Sequence, residues 1–206
     1  MDLILPMFLF AISAAITPGP NNIMLMASGL NFGIQKSIPH LLGVAIGFPI
    51  MIIIIGFGFE LVFEKFPLLH DFIKIVGIAY LIYLAWRVAT SSKQSLEGAK
   101  PIPLRFWQAV LFQWVNPKAW VMATGAIAAY TSLSADFFTQ VMIIALTFML
   151  VAFPCAGSWL VFGSSLKRYL QKPVYLQAFN VTMALLLIAS IIPVVMDVFT
   201  EIATQS

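Results

Sequence analysis

The stretch Thr17-Pro18-Gly19-Pro20-Asn21-Asn22 interrupts an apolar segment that otherwise runs from residue 3 to residue 30. Pro18 and Pro20 donate no backbone hydrogen bond, and Gly19 tolerates backbone angles that other residues avoid. Carbonyl groups one turn earlier therefore lose their partners. Because lipid cannot satisfy them, this backbone is expected to face protein, water or a ligand. Pro20 suits the first position of a helix, so the sequence predicts two half-helices that meet at the break.

The composition is that of an integral membrane protein. Of 206 residues, 61% are hydrophobic and 9% are charged, and soluble domains are far less apolar. We expect a single transmembrane domain over residues 1–206, with the lipid bilayer as a partner. The net charge of +3 does not indicate a nucleic-acid partner, because excess Lys and Arg is typical of cytoplasmic loops. The single Cys155 excludes an internal disulfide, and two distant histidines predict no metal cluster.

Six segments reach the length of about 20 apolar residues that a membrane span requires. They cover residues 3–30, 38–59, 68–89, 106–130, 137–166 and 174–198. All are predicted to be helices, because the alternating pattern of a membrane barrel is absent. The predicted fold class is therefore an all-α integral membrane protein with six transmembrane helices, of which the first and fourth are broken.

The basic residues predict the orientation in the membrane. Three alternating connections hold most of them, namely Lys36, Arg87, Lys93, Lys100, Arg105, Lys167, Arg168 and Lys172. The opposite side holds only Lys65 and Lys74. Cytoplasmic loops carry the excess of Lys and Arg, so we expect both termini to lie outside the cell membrane.

A weak internal repeat relates residues 1–90 to residues 105–206, across a polar cytoplasmic connection at 91–104. Since each half contains three spans, the second half must be inverted relative to the first. Helix breakers recur in matching spans of the two halves: Pro18–Asn21 with Asn116–Lys118, and Pro49 with Pro154. Such paired breakers indicate a binding site at the interface of the halves. Pro49 and Pro154 are interpreted as kinks that shape this cavity or hinges that gate it.

Lys118 is the most unusual residue of the fourth span. At 1.5 Å per residue it lies about 20 Å from Arg105, near the middle of the span. An intramembrane lysine is costly unless it faces a partner or a water-filled cavity, and no Asp or Glu occupies a midspan position. Two interpretations stay open. Lys118 binds the carboxylate of a cargo, or it donates to carbonyls freed at the break and contacts no cargo.

The residues around the two breaks form the candidate binding set. Asn116 and Pro117 fit a helix cap followed by the first helical position, which creates a positive helix end. Asn21 and Asn22 offer hydrogen-bond donors and acceptors to a ligand. The alternative is that they only form hydrogen bonds between helices, and for Asn22 the two interpretations are evenly balanced. Positive helix ends suit the carboxylate of an amino acid, and freed carbonyls suit its ammonium. The candidate set is Pro18, Gly19, Pro20, Asn21, Asn22, Asn116, Pro117 and Lys118.

Pro18-Gly19-Pro20-Asn21 together with Asn116-Pro117-Lys118-Ala119 resembles the LysE/RhtB family of bacterial amino-acid exporters. The likeness extends through Gly33, Gly43 and Gly47 and covers the chain in length and span number. Asn22 and the run from Gly33 to Gly47 are most similar to the branch that exports cysteine and O-acetylserine. The resemblance implies efflux of small amino acids or their derivatives, including homoserine- and threonine-like cargo, driven by the proton gradient.

Several other functions compete with export of amino acids as interpretations of the sequence. A metal-cation exporter of a related family is the main alternative, but midspan carboxylates, histidine pairs and cysteine pairs are absent. An intramembrane enzyme is disfavoured because no H-E-x-x-H, paired aspartates or G-x-S-x-G occurs.

No cofactor is implied, and a homo-oligomer is left open. A proton carrier is not evident either, since Asp136 and His40 lie near span ends. The pair Gly43 and Gly47 predicts close helix packing.

Overall fold

The computed structural model describes residues 4–59, 67–96, 102–131, 136–170 and 172–205. The helices of this part of the chain are α1 Ile4–Ile16, α2 Pro20–Phe32, α3 Ile34–Ile54, α4 Pro67–Leu96, α5 Phe106–Phe112, α6 Pro117–Tyr130, α7 Phe137–Leu166 and α8 Pro173–Gln205. One π-helical turn, Ile55–Phe59, follows α3, and one 3-10 turn, Gln113–Val115, follows α5. The described residues contain no strand, which confirms the all-α class.

Several of these helices are apolar and long enough to cross a membrane. Three are unbroken: Ile34–Gly58, Phe137–Leu166 and Pro173–Ser190. The pair α1 and α2 qualifies as a fourth if the two helices are counted as one bent span. The third predicted span lies in α4, whose apolar part is the shorter Ile78–Thr90. The fourth consists of α5, the 3-10 turn and α6, so the six-span arrangement stays a prediction.

Three helices extend beyond their predicted ends, one of which is α8, which continues to Gln205 past the predicted end at residue 198. α4 continues to Leu96, into the predicted connection at 91–104, where Lys, Gln and Leu all favour helix. α3 begins at Ile34, directly after Gly33, whose φ of +82° favours glycine. Residues 60–66 and 97–101 lie outside the described residues, and with them Lys65 and Lys100 of the orientation prediction.

Both predicted helix breaks are present. The axes of α1 and α2 differ by 54°, and Pro20 occupies the first position of α2. The second break lies between the 3-10 turn and α6, where Asn116 Oδ1 accepts a hydrogen bond from the backbone N–H of Lys118 at 3.2 Å. Pro117 is the first residue of α6. Asn116 and Pro117 therefore take the capping positions that the sequence predicts.

Glycines allow the helices around the breaks to approach closely. A Cβ on Gly47 would lie 2.8 Å from Val110 Cα, and one on Gly43 would collide with the Phe106 carbonyl oxygen. The predicted packing of this glycine pair is confirmed, and its partner is α5. Gly29 of α2 and Gly163 of α7 bring those two helices equally close. α7 also contacts α1 and α3, while α4 packs along α8. The broken helices are thus enclosed by α3 and α7.

Candidate functional site

The first break leaves backbone carbonyls without helical partners, and side chains from α2 and α7 satisfy three of them. The amide nitrogen of Asn22 donates to the carbonyls of Ala15 at 2.8 Å and Thr17 at 2.9 Å. The indole nitrogen of Trp159 donates to the carbonyl of Ile16 at 3.1 Å. An unpaired carbonyl in a membrane interior costs several kcal/mol, so these contacts stabilise the break.

Lys118 also binds the first break, from the start of α6. Its Nζ donates to the carbonyl of Thr17 at 2.6 Å and to that of Pro18 at 3.4 Å. The side chain is half-buried and passes directly over Gly19, where a Cβ would lie 2.7 Å from Lys118 Cδ. Gly19 itself is extended, with φ −176°, which any residue can adopt. The break therefore uses the small size of Gly19 and not the backbone freedom that the sequence indicates.

The two breaks are joined by a pair of amides. Asn21 Nδ2 donates to Gln113 Oε1 at 2.8 Å, and Gln113 Nε2 donates back to Asn21 Oδ1 at 3.2 Å. Gln113 is fully buried and also donates to the carbonyl of Ala109 at 2.9 Å. On the far side of the second break, the indole nitrogen of Trp120 donates to the carbonyl of Trp114 at 2.8 Å. Side-chain hydrogen bonds thus fix the relative positions of both breaks.

A small cavity of about 50 Å³ lies where the two breaks meet. Its polar lining consists of Asn21, Asn22, Asn116 and Lys118. Its apolar walls come from α1, α3, α6 and α7, including the rings of Phe48 and Phe148, which meet edge to face at 5.2 Å. A water molecule needs roughly 10–15 Å³ of such space, so the cavity has room for a few waters.

The structure brings five of the eight candidate residues to this cavity. They are Gly19, Asn21, Asn22, Asn116 and Lys118. Pro18, Pro20 and Pro117 shape the breaks without lining the cavity. Pro49 is buried and Pro154 exposed, and both lie inside continuous helices. The cavity wall next to them is formed by Phe48 and Ala152.

Sequence reasoning did not single out Trp159 and Gln113. Gln113 offered a usable signal, because it is a polar residue within an apolar span, three positions before Asn116. Trp159 offered none. It contacts Ile16 across 143 positions of sequence, and an isolated tryptophan in a long apolar helix is unremarkable without that contact.

Neither of the two titratable groups considered as proton carriers touches this cavity. Asp136 caps α7, and its hydrogen bonds from the Thr139 hydroxyl and backbone N–H lower the pKa of its carboxyl. That carboxylate therefore stays ionised down to lower pH than an ordinary aspartate. His40 is fully buried in α3, with its Nδ1 3.0 Å from the hydroxyl oxygen of Ser28.

Apolar helices that enclose two helix breaks, with a polar cavity and a lysine between them, define an integral membrane protein of the transporter class. A profile of the family described as LysE type translocator matches residues 12–192, and the chain belongs to this family. This result confirms the resemblance that the motifs at the two breaks carry.

Three curated proteins that are similar to the chain share one description. The chain is 29% identical over 180 residues to the cysteine/O-acetylserine efflux protein of Salmonella choleraesuis (strain SC-B67), covering 87% of this chain and 90% of the relative. It is 28% identical to the protein of that name from Escherichia coli O139:H28 and 27% identical to that of Escherichia coli K12, with the same coverage. No solved structure gives a significant match to the chain.

Proposed function

We propose that this protein exports small neutral amino acids or their derivatives, of the cysteine and O-acetylserine type, from the cytoplasm. One observation carries the proposal: a half-buried lysine lines a cavity between two helix breaks while it is bound to freed carbonyls. The cavity therefore holds a cationic donor, carbonyl acceptors and amides within the reach of one small zwitterion. The family and the names of the similar proteins support the same class of cargo.

Binding is proposed to proceed by exchange of cations at the first break. Lys118 Nζ now occupies the carbonyls of Thr17 and Pro18. The ammonium group of an amino acid can take over these carbonyls, which releases Lys118 to bind the carboxylate of the same molecule. The hydrogen bonds of the ammonium group to the carbonyls and of Lys118 to the carboxylate are then both charge-assisted. In this scheme the two interpretations of Lys118 describe the empty and the loaded states of one site.

The amides of the cavity are assigned supporting roles. Asn22 holds the carbonyls of Ala15 and Thr17 in place, and Asn21 ties the first break to Gln113. Asn116 caps α6, so that the positive end of this helix adds to the charge of Lys118. Pro18, Pro20 and Pro117 keep the breaks open, and Pro49 and Pro154 act as kinks or hinges in the enclosing helices.

We further propose that the chain is one transmembrane domain of six spans, built as an inverted repeat of residues 1–90 and 105–206. Two pairs of helices that the repeat relates, α3 with α7 and α4 with α8, pack against each other, as expected about a pseudo-twofold axis. Both termini are proposed to lie outside the inner membrane. The proton gradient is proposed to drive export, and no residue is assigned as its carrier.

Counterflow in liposomes tests the cargo. Purified protein is reconstituted into liposomes loaded with unlabelled cysteine, O-acetylserine, homoserine, threonine or lysine, and entry of the labelled form is followed. The neutral amino acids should exchange and lysine should not, because the residues that line the described cavity include no carboxylate to neutralise a second ammonium group beside Lys118. Protein-free liposomes are the control. Folded protein that exchanges none of these amino acids contradicts the proposed function.

A further inference from the structure

A second polar group is buried between α2 and α3, outside the cavity. His40 of α3 has no exposed surface, and its Nδ1 lies 3.0 Å from the hydroxyl oxygen of Ser28 in α2. Its other ring nitrogen, Nε2, is buried and has no hydrogen-bond partner among the described residues. The buried hydroxyl of Ser37, one turn earlier in α3, is likewise unpaired within the described part of the chain. Unpaired buried polar groups cost free energy and are few in native proteins, so this cluster indicates a functional role.

The surroundings of His40 carry no counter-ion for a charged imidazole. Apart from His40, the titratable residues of α3, of the described helices that pack against it and of their caps are Lys36, Arg105, Lys118, Tyr130, Asp136, Cys155 and Lys167. Asp136 is the only carboxylate of this set, and it lies at the start of α7. Gly29, next to Ser28, packs on Leu160, about 36 Å further along α7 at 1.5 Å per residue. A positive charge on His40 would therefore be costly in this packing.

His40 lies about one helical turn from the cavity between the two breaks. Val44 follows it by four residues, a rise of about 6 Å, and lines that cavity. Val44 also packs with Leu25 of α2 and Ala109 of α5 in one buried cluster. A movement of α3 against α2 that admits cargo to the cavity therefore also changes the surroundings of His40.

We propose that His40 is the proton-binding group of the transporter and that its Nε2 takes up and releases the proton. In the neutral tautomer with its proton on Nδ1, this nitrogen donates to Ser28 Oγ, and Nε2 keeps a lone pair. When α2 and α3 separate and water reaches the ring, Nε2 accepts a proton from water. Return to the packing described here expels that proton to water, because the buried cation has no counter-ion beside it.

This inference deepens the proposed export function, which leaves the proton carrier unassigned, and it rests on that function. An unperturbed imidazole changes its charge between about pH 5 and pH 8, so proton exchange with water is available to it under ordinary conditions. The competing explanation is structural: His40 only fills the space between α2 and α3.

Two assays with the purified full-length protein in liposomes separate these explanations. Counterflow of labelled O-acetylserine at equal pH on both sides measures cargo exchange, which needs no net proton movement. Net uptake into liposomes with an acidic interior measures coupling, with the membrane potential clamped by potassium and valinomycin. The test variant is His40→Gln. Ser37→Ala changes the same interface without removing a titratable group, and Asp136→Asn removes a titratable group at the start of α7 while asparagine can still cap the helix.

The proton site predicts that exchange and coupling come apart. At one proton per cargo, wild type should accumulate cargo about tenfold for each pH unit of gradient. His40→Gln should keep counterflow and lose this accumulation, while Ser37→Ala and Asp136→Asn should keep both. Folded His40→Gln that accumulates cargo as wild type does, or that loses counterflow and accumulation equally, overturns the proton site and leaves export intact. So does wild type that exchanges cargo without responding to the gradient. Wild type that exchanges no amino acid overturns the export function as well.

The protonation state of wild-type His40 gives a readout that does not depend on the folding of a variant. Isotope-labelled histidine is followed by NMR in liposomes as a function of pH, and His70→Gln assigns the signals, because the chain contains two histidines. The His40 ring should carry protons on both nitrogens at acidic pH and on one at alkaline pH. A ring that stays neutral over the whole range in which the protein transports cargo overturns the proposal.

Discussion

At the scale of single residues, Lys118 connects the two breaks, because its Nζ at the start of α6 donates to the carbonyls of Thr17 and Pro18. Its depth, its place after Asn116 and the lack of a midspan acid could all be read from the chain. Which atoms it contacts could not, because the carbonyls of Thr17 and Pro18 lie about one hundred positions away. Gly19 gives the reverse lesson. The sequence indicates a flexible backbone there, whereas the structure uses the space that its missing Cβ leaves for Lys118.

Replacing Lys118 by Met tests the carboxylate-binding role. The variant keeps most of the side-chain length and removes the charge, and Thr17 retains its hydrogen bond from Asn22. Folding should therefore survive, while cargo affinity falls roughly ten- to hundredfold, the equivalent of about 1.5–3 kcal/mol for a charge-assisted hydrogen bond. Lys118→Arg should rescue in part. The measurement is exchange of an amino acid and of its carboxamide. Unchanged discrimination in Lys118→Met would show that Lys118 serves the fold alone.

Gly19→Ala tests whether the position of Lys118 matters independently of its charge. Alanine accepts the extended backbone of this residue, so the break should be kept. The new methyl group would displace Lys118, whose Cδ lies 2.7 Å from it and whose Nζ lies 3.2 Å from it. Exchange should fall in the wild-type background and change little further in Lys118→Ala, since coupled residues are not additive. Equal effects of Gly19→Ala in both backgrounds would exclude an action through Lys118.

At the scale of helices, proline and asparagine made both breaks predictable, because their effects on the backbone are local. The groups that stabilise the breaks were not predictable, because they depend on tertiary contacts. Pro20 lacks the N–H that would bind the carbonyl of Ile16 four residues earlier, and Trp159 of α7 occupies that carbonyl instead. The sequence also predicts that α3 and α4 exist, but it places their ends less accurately.

Pro20→Ala restores this missing N–H and tests the break as an element. The new donor would compete with Trp159 for the carbonyl of Ile16 and favour a continuous helix, in which an interior proline costs about 3 kcal/mol. Membrane insertion should be normal or improved, and export should fall. Pro39→Ala is the control, because Pro39 is exposed inside the continuous helix α3. Normal export by folded Pro20→Ala protein would show that the break is a packing kink only.

The contact of α2 with α7 is predicted to be critical for stability. A Cβ on Gly163 would collide with the carbonyl of Met26, whereas one on Gly157 of the same helix would meet its nearest atom, of Leu41, at 3.9 Å. Alanine is favoured over glycine in a helix by about 1 kcal/mol. Gly157→Ala should therefore keep or raise the thermal midpoint in detergent, and Gly163→Ala should lower it. Equal midpoints for the two variants would contradict the close approach of these helices.

At the scale of the whole molecule, the composition identified a membrane protein and the motifs identified its family, which the profile match confirms. The arrangement of the halves is a longer-range property. Sequence shows which helices carry breakers, but only the fold shows that Asn21 and Gln113 connect the two breaks directly. The amides of this pair come from different halves of the proposed repeat, so any movement of one half against the other must strain or exchange these hydrogen bonds.

Orientation in the membrane is the last property to be tested, and it determines the direction of transport. The basic residues predict that the connection after α4 lies in the cytoplasm and that both termini lie outside. The proposed three spans in each half would require an inverted repeat, in which the two similar breaks face each other. Reporter fusions after Ser206 and within residues 91–99 should therefore report opposite sides. The same side for both would remove the six-span arrangement, and a cytoplasmic C-terminus would invert the proposed orientation.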